Sequence, residues 1–139
     1  ESWRIQTIMQ RLEGYKIAIV DDDLDILESM ELAMRAEGAL TAIAEDGTEA
    51  VSVCQEFHPD AVILDMMLPK RSGFLVLEEI TAMDPTPIIV MVTANEGKRH
   101  MAYAKSLGVS EYLNKPLSLE RLIDRVSCLL REENTGKNE

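Results

Sequence analysis

The stretch of residues 59–73 constrains the fold of this chain more than any other part of it. It holds a continuous apolar run, Ala61–Leu64, between a Pro-Asp pair and an exit that contains Pro and Gly. Such a run is typical of a strand that is buried on both faces of a parallel sheet. Asp65 follows directly, and open α/β sheets bind their ligands at the carboxyl ends of strands. A helix N-cap is the alternative role for Asp65, but Pro69 separates it from the next helical pattern, for which Ser72 is the predicted cap.

Alternating segments extend this pattern over most of the chain. Five short apolar runs, at residues 16–20, 39–44, 61–64, 88–92 and 111–113, are each followed by a segment with helical spacing of its apolar side chains. This alternation predicts an α/β fold in which a doubly wound parallel sheet carries helices on both faces. Its crossover connections should be right-handed.

The predicted domain spans residues 15–131. Before it, an apolar stripe that ends at Leu12 predicts an extra N-terminal helix within residues 1–14. That helix either packs on its own domain or connects to an upstream domain or a second copy of the chain. The polar residues 132–139 are expected to form a disordered tail.

Composition excludes several classes of protein. The formal net charge of −11 argues against direct binding to nucleic acid and favours cations or basic partner surfaces. The longest apolar runs, such as Ile88–Val92, are too short to cross a membrane. Cys54 and Cys128 match neither a metal-ligand spacing nor a disulfide framework. These features predict a cytoplasmic protein.

Polar side chains follow four of the five predicted strands, at the point where each strand ends. They are Asp21 and Asp22 after the first strand, Asp65 after the third, Thr93 after the fourth and Lys115 after the fifth. Because the carboxyl ends of parallel strands meet at one edge of the sheet, these side chains should converge there.

The charges of this group suggest its chemistry. Three carboxylates in close proximity repel one another unless cations lie among them. Oxygen ligands of this kind suit Mg²⁺, and Lys115 supplies a compact positive charge. A carboxylate can act as a nucleophile toward phosphorus, and phosphoryl transfer needs mainly positioning and neutralisation of charge. The sequence therefore predicts that Asp65 is a phosphoacceptor.

The chain resembles the response-regulator receiver domains of two-component signalling over residues 15–131. The resemblance rests on four motifs: Ile-Ala-Ile-Val-Asp-Asp at residues 17–22, Leu-Asp-Met-Met-Leu-Pro at 64–69, Met-Val-Thr-Ala at 91–94 and Tyr-Leu-Asn-Lys-Pro at 112–116. It implies the flavodoxin-like architecture with strand order 2-1-3-4-5. It also implies a signalling phosphoacceptor rather than an enzyme, with self-catalysed phosphotransfer and autodephosphorylation only.

The resemblance implies a role for each site residue. Asp65 would receive a phosphoryl group from a sensor histidine kinase or a histidine phosphotransfer protein. Mg²⁺ would be held by Asp22, Asp65 and the backbone carbonyl of Met67, with Asp21 contributing through water. Lys115 would contact the phosphoryl group.

The resemblance also implies a switch. The phosphoryl group would draw the Thr93 hydroxyl inward, and Tyr112 would follow into the vacated space. This movement would bias the surface of the fourth helix, fifth strand and fifth helix toward binding a downstream output protein or domain. A homodimer is a further possibility, and no contact with nucleic acid or membrane is expected. The bond between Lys115 and Pro116 should be cis.

Other functions fit the residues less well. A phosphohydrolase of the haloacid dehalogenase type needs a second acid at the position of Met67. A flavin-binding module needs a phosphate cradle where this chain has Asp21–Asp23. A degenerate receiver that binds partners without phosphorylation is the alternative, although the full set of acidic, Thr and Lys positions argues against it. Met67 and Asn95 flank the site, and an apolar Met67 should slow loss of the phosphoryl group.

Overall fold

The computed structural model describes residues 10–94 and 98–137. Within these ranges, five parallel strands form one sheet in the order β2-β1-β3-β4-β5. The strands are β1 (Lys16–Val20), β2 (Leu40–Ala44), β3 (Ala61–Leu64), β4 (Ile88–Thr93) and β5 (Glu111–Asn114). The predicted fold class and strand order are therefore confirmed.

In the part of the chain that the structure describes, five helices connect and follow the strands. They are α1 (Leu24–Ala36), α2 (Gly47–Phe57), α3 (Gly73–Thr81), α4 (Lys98–Ser106) and α5 (Leu119–Lys137). Side chains cap the first three of them, as expected for Asp and Ser at an N-cap: Asp23 caps α1, Asp46 caps α2, and Ser72 caps α3 as predicted. Within the described ranges, no helix combines the length and apolar character needed to cross a membrane.

The two faces of the sheet carry separate apolar cores. Successive residues of a strand point to opposite faces, so Ile17 and Ala18 belong to different cores. The first core packs α1 and α5 against the sheet, with Leu27 and Val126 among its buried side chains. The second packs α2, α3 and α4 on the other face. Because β3 lies between β1 and β4 and is buried throughout, residues after it emerge at the centre of the sheet edge.

The C-terminal segment differs from its prediction. Residues 132–137 were expected to belong to a disordered tail, but α5 continues through Lys137. A contact distant in the sequence contributes to this helical extension, since the Asn134 side-chain amide donates to the hydroxyl of Tyr15. Residues 138–139 lie outside the described ranges.

The N-terminal segment is described only from residue 10 onward, so most of the predicted first helix lies outside the described ranges. Residues 11–14 form a turn rather than helix. Leu12 is fully buried in the core beneath α1 and α5. The Arg11 guanidinium pairs with Glu37 at 2.9 Å and with Glu120 at 2.8 Å. The end of this segment therefore packs on its own domain.

Candidate functional site

Asp65 emerges from the centre of the sheet edge. Its backbone amide donates to the carbonyl of Val20 at 3.1 Å, which continues the pairing of β3 with β1. Its side chain is almost completely buried. The Asp65 Oδ1 atom accepts a hydrogen bond from the Met67 amide at 3.0 Å, which begins the loop that leads to α3. Strand pairing and this local bond together fix the direction of the carboxylate.

Asp21 and Asp22 follow β1, the strand next to β3. Asp21 is buried, and its Oδ1 atom accepts from the Asp23 amide at 2.9 Å. Asp22 is exposed. Carboxylate oxygens of Asp21, Asp22 and Asp65 all lie within 4.8 Å of one another. The predicted convergence of these three side chains is therefore present in the structure.

Lys115 bridges two of the three carboxylates. Its Nζ atom lies 2.8 Å from Asp21 Oδ2 and 2.9 Å from Asp65 Oδ2. Its backbone amide donates to the carbonyl of Thr93 at 2.9 Å, which anchors the residue beyond the end of β5. The bond to Pro116 is cis, as the resemblance implied.

Burial and hydrogen bonding act in opposite directions on the ionisable groups. Burial raises the pKa of Asp21, and the hydrogen bond from Lys115 offsets only part of this effect. For Lys115, burial favours the neutral amine, but hydrogen bonds to Asp21 and Asp65 outweigh it and raise the pKa. Lys115 is therefore a cation at neutral pH.

Thr93 and Tyr112 lie on the neighbouring strands. Thr93 ends β4 and is fully buried. Tyr112 lies in β5, opposite Met91 in the strand register, and is 8% exposed. Burial raises the pKa of the Tyr112 hydroxyl, and the negative charge of Asp65 adds to this effect. Tyr112 is thus already buried, in the same core as Ala104 of α4.

The donor set fits a magnesium ion. Three carboxylates offer oxygen atoms within 4.8 Å of one another, and hard oxygen ligands are those that Mg²⁺ prefers. One member, Asp22, is exposed, which leaves that side open to solvent and suits an ion that keeps several waters. The residues present therefore fit the metal that the sequence predicted.

The loop after Asp65 is held by neighbouring elements. Met67 is 61% exposed in the loop directly after Asp65, so its apolar side chain faces solvent. Lys70 pairs with Asp46 at 3.3 Å, and Arg71 pairs with Glu79 at 2.7 Å. These two basic residues thus have partners within the domain.

The sequence did not reveal every residue that builds the site. Asp23 was grouped with the acidic residues after β1, but its carboxylate caps α1 by accepting from two amides of the first turn. An Asp directly before an apolar helical pattern is the signal that could have identified this cap. Asn95, which was expected to flank the site, lies outside the described ranges.

Comparison with known families agrees with this geometry. The family model described as "Response regulator receiver domain" matches residues 17–127. The chain belongs to this family. This chain is therefore the receiver domain of a response regulator, and such domains act in two-component signalling.

Solved structures and sequence relatives extend the comparison. A CheY-like receiver domain from Methanospirillum hungatei has a TM-score of 0.85 and 26% identity, over 90% of this chain and 98% of that one. A response regulator structure from Chloroflexus aurantiacus has a TM-score of 0.78 and 30% identity, over 86% of this chain and 99% of that one. The DNA-binding response regulator MtrA of Mycobacterium leprae is 35% identical over 119 residues, which cover 86% of this chain and 52% of MtrA.

These relatives correct one prediction. The net negative charge led to the prediction that the protein does not contact nucleic acid directly. That prediction is wrong, since the matching MtrA proteins are DNA-binding response regulators. The receiver domain spans about half the length of these relatives. The acidity of the receiver domain therefore says nothing about DNA binding by the other half of such a protein.

Proposed function

We propose that Asp65 of this receiver domain accepts a phosphoryl group from a phosphohistidine on a sensor histidine kinase or a histidine phosphotransfer protein. The observation that carries this proposal is the position of Lys115, whose Nζ atom lies within 2.9 Å of both Asp21 and Asp65. A buried carboxylate that is oriented beside a fixed ammonium group has the arrangement that phosphoryl transfer requires.

The transfer forms one bond and breaks another. An oxygen of the Asp65 carboxylate attacks phosphorus, and the bond between phosphorus and the imidazole nitrogen of the donor breaks. The electron pair of that bond returns to the imidazole ring. The Asp65 carboxylate is held by the Met67 amide and by Lys115, so little reorientation is needed before attack.

Asp22, Asp65 and the backbone carbonyl of Met67 would hold Mg²⁺, with Asp21 contributing through water. When bound, the ion neutralises charge on the phosphoryl oxygens. Lys115 supplies a second positive charge beside Asp65, because its ammonium group contacts both Asp21 and Asp65. Asp21 orients Lys115 through the 2.8 Å ion pair.

Thr93 and Tyr112 would report the modification to the surface of the domain. The Thr93 hydroxyl can donate to a phosphoryl oxygen, since Thr93 ends the strand next to Asp65. Tyr112 packs in the same apolar core as α4. A movement of Thr93 that Tyr112 follows can therefore change the surface that α4 and β5 offer for binding a partner. The partner-binding surface would comprise α4, β5 and α5.

The output of this receiver would be a separate protein or a domain of a longer chain. The MtrA proteins are DNA-binding response regulators of about twice the matched length. By analogy, a DNA-binding domain is one form that the output could take. The protein would act in the cytoplasm, where a sensor kinase presents its phosphohistidine.

The experiment that tests the proposal is incubation with Mg²⁺ and acetyl phosphate, followed by measurement of the intact mass. The unchanged protein should gain one phosphoryl group, and Asp65→Asn should gain none. Asp60→Asn is the matched control, since Asp60 is an exposed aspartate that precedes the same strand. Equal mass gain in the Asp65 variant and the unchanged protein would contradict the assignment of Asp65.

A further inference from the structure

The connection between β2 and α2 contacts the loop that carries Met67. The Gly47 amide donates to the carbonyl of Pro69 at 3.2 Å. Next to it, the Lys70 ammonium pairs with Asp46 at 3.3 Å. Two neighbouring residues that begin α2 therefore hold two neighbouring residues of the loop.

The approach at Gly47 is too close for a side chain. A Cβ atom at this position would lie 2.1 Å from the carbonyl oxygen of Arg71 and 2.5 Å from its Cβ atom. Ordinary contact requires about 3.5 Å between such atoms. The obstacle includes backbone, which cannot rotate away as the tip of a long side chain can. Any larger residue at position 47 must therefore displace the loop.

The contacted part of the loop is a tight turn. The Arg71 amide donates to the carbonyl of Pro69 at 2.7 Å, and Lys70 between them has a φ of +66°. A lysine in the left-handed region carries backbone strain, because its side chain crowds the following carbonyl. A turn of this kind persists only if its surroundings hold it, and Asp46 and Gly47 supply contacts that do so.

The other end of the loop is equally restricted. The Gly73 amide donates to the carbonyl of Met66 at 2.9 Å. A Cβ atom on Gly73 would lie 2.4 Å from the Met66 Cα atom. The loop is thus closed at its base by Gly73 and held at its far side by Gly47. The backbone of Met67, whose amide contacts Asp65, lies between these two points.

We infer that Gly47 is a positioning residue for the metal and phosphoryl site. Its lack of a side chain lets the start of α2 lie against the backbone of Arg71 and fix the course of residues 66–72. That course sets where the Met67 carbonyl stands relative to Asp22 and Asp65. The inference rests on the proposed function, since it assigns Gly47 a part in binding Mg²⁺ at that site.

The first experiment measures the dissociation constant of Mg²⁺ by titration of backbone amide signals in NMR spectra. Gly47→Ala should weaken binding about tenfold, the usual scale for residues that position metal ligands. Ser52→Ala is the matched control, because Ser52 is exposed on the same helix and the substitution also adds a helix-favouring residue. A folded Gly47→Ala variant with the affinity of the unchanged protein would overturn the inference.

The second experiment uses the unchanged protein and does not depend on whether the variant folds. Coupling between two sites is reciprocal, so Mg²⁺ should slow hydrogen exchange of the Gly47 amide by holding Pro69 in place. The Leu40 amide, which donates to Tyr15 at 2.9 Å at the opposite end of the sheet, is the internal reference. Equal effects of Mg²⁺ on the two amides would refute the role of Gly47.

The two proposals fail in different ways. If Mg²⁺ does not bind the unchanged protein, or if Asp65→Asn still gains a phosphoryl group, the proposed function is wrong. If the unchanged protein binds Mg²⁺ and is phosphorylated on Asp65, but Gly47→Ala binds Mg²⁺ equally well, only the positioning role of Gly47 is wrong.

Discussion

Without magnesium, the Asp22→Asn variant should be more stable than the unchanged protein. With magnesium, it should be less stable than the unchanged protein. Asp22 is the exposed member of the three converging carboxylates, and Lys115 is hydrogen-bonded to the other two. Asp22 thus experiences repulsion from Asp21 and Asp65 that Lys115 only partly compensates. The substitution keeps the size of the side chain and removes its charge.

The distances set the magnitude. Two unit charges 4.8 Å apart, the upper limit for these oxygens, repel by about 0.9 kcal/mol in water and about 3.5 kcal/mol at the effective dielectric constant of a protein surface. Asp22 has two such neighbours, and the single positive charge of Lys115 offsets about one of the two repulsions. Because Asp22 is exposed, the remaining repulsion lies close to the value in water. We expect a net gain of about 1 kcal/mol in the free energy of unfolding, which raises Tm by about 4 °C in a domain of this size.

Thermal unfolding in EDTA and in increasing Mg²⁺ measures both effects. An ion that binds only the folded state stabilises it by about 2.7 kcal/mol at one hundred times its dissociation constant. The unchanged protein should gain more than Asp22→Asn, so the two curves of Tm against Mg²⁺ should cross. Asp124→Asn, which removes an exposed charge from α5, controls for the change in net charge. A lower Tm for Asp22→Asn in EDTA would refute the repulsion argument.

Three further predictions concern single side chains. Met67→Asn should shorten the lifetime of the phosphorylated domain several-fold, because an amide can orient an attacking water and a thioether cannot. The release of phosphate over time measures this lifetime, and an unchanged rate of release would contradict the prediction. Cys54 is fully buried, and burial raises its pKa to about 12, so only about one Cys54 thiol in ten thousand is ionised at pH 8. Iodoacetamide should therefore modify Cys128 first, and the masses of proteolytic peptides would show this order. The hydrogen bond to Glu78 raises the pKa of Tyr103. The stability that this pair contributes is therefore present below the ordinary tyrosine pKa and is lost as pH rises through the raised pKa of Tyr103. Glu78→Gln should shift the NMR titration of Tyr103 to lower pH.

The course of the sheet and the position of Asp65 could be predicted because both depend on local signals. Ala61–Leu64 is an uninterrupted apolar run, and the structure buries all of it. Once a strand is assigned, the geometry of parallel sheets places the residue after it at the carboxyl edge. Asp21 and Lys115 could be assigned to the same edge for the same reason, and the ion pair between them follows from their charges.

Features that depend on contacts distant in the sequence could not be predicted. The polar composition after residue 131 predicted disorder, but the Asn134 side chain donates a hydrogen bond to Tyr15, and α5 continues through Lys137. The close approach of Gly47 to Arg71 is likewise invisible in either segment alone. A glycine at the start of a helical pattern indicates a helix start, and only the fold shows which backbone lies against it.

Under the proposed function, the balance of charge would explain how this group of residues responds to phosphorylation. Asp21, Asp22 and Asp65 together with Lys115 carry a formal charge of −2, which a divalent ion would reduce to zero. Conversion of Asp65 to an aspartyl phosphate replaces one negative charge by about two. The metal-bound site would then carry an excess of about one negative charge in a largely buried location. Hydrogen-bond donors close to Asp65 would be drawn toward that charge, and we expect the hydroxyl of Thr93, which ends the neighbouring strand, to be one of them.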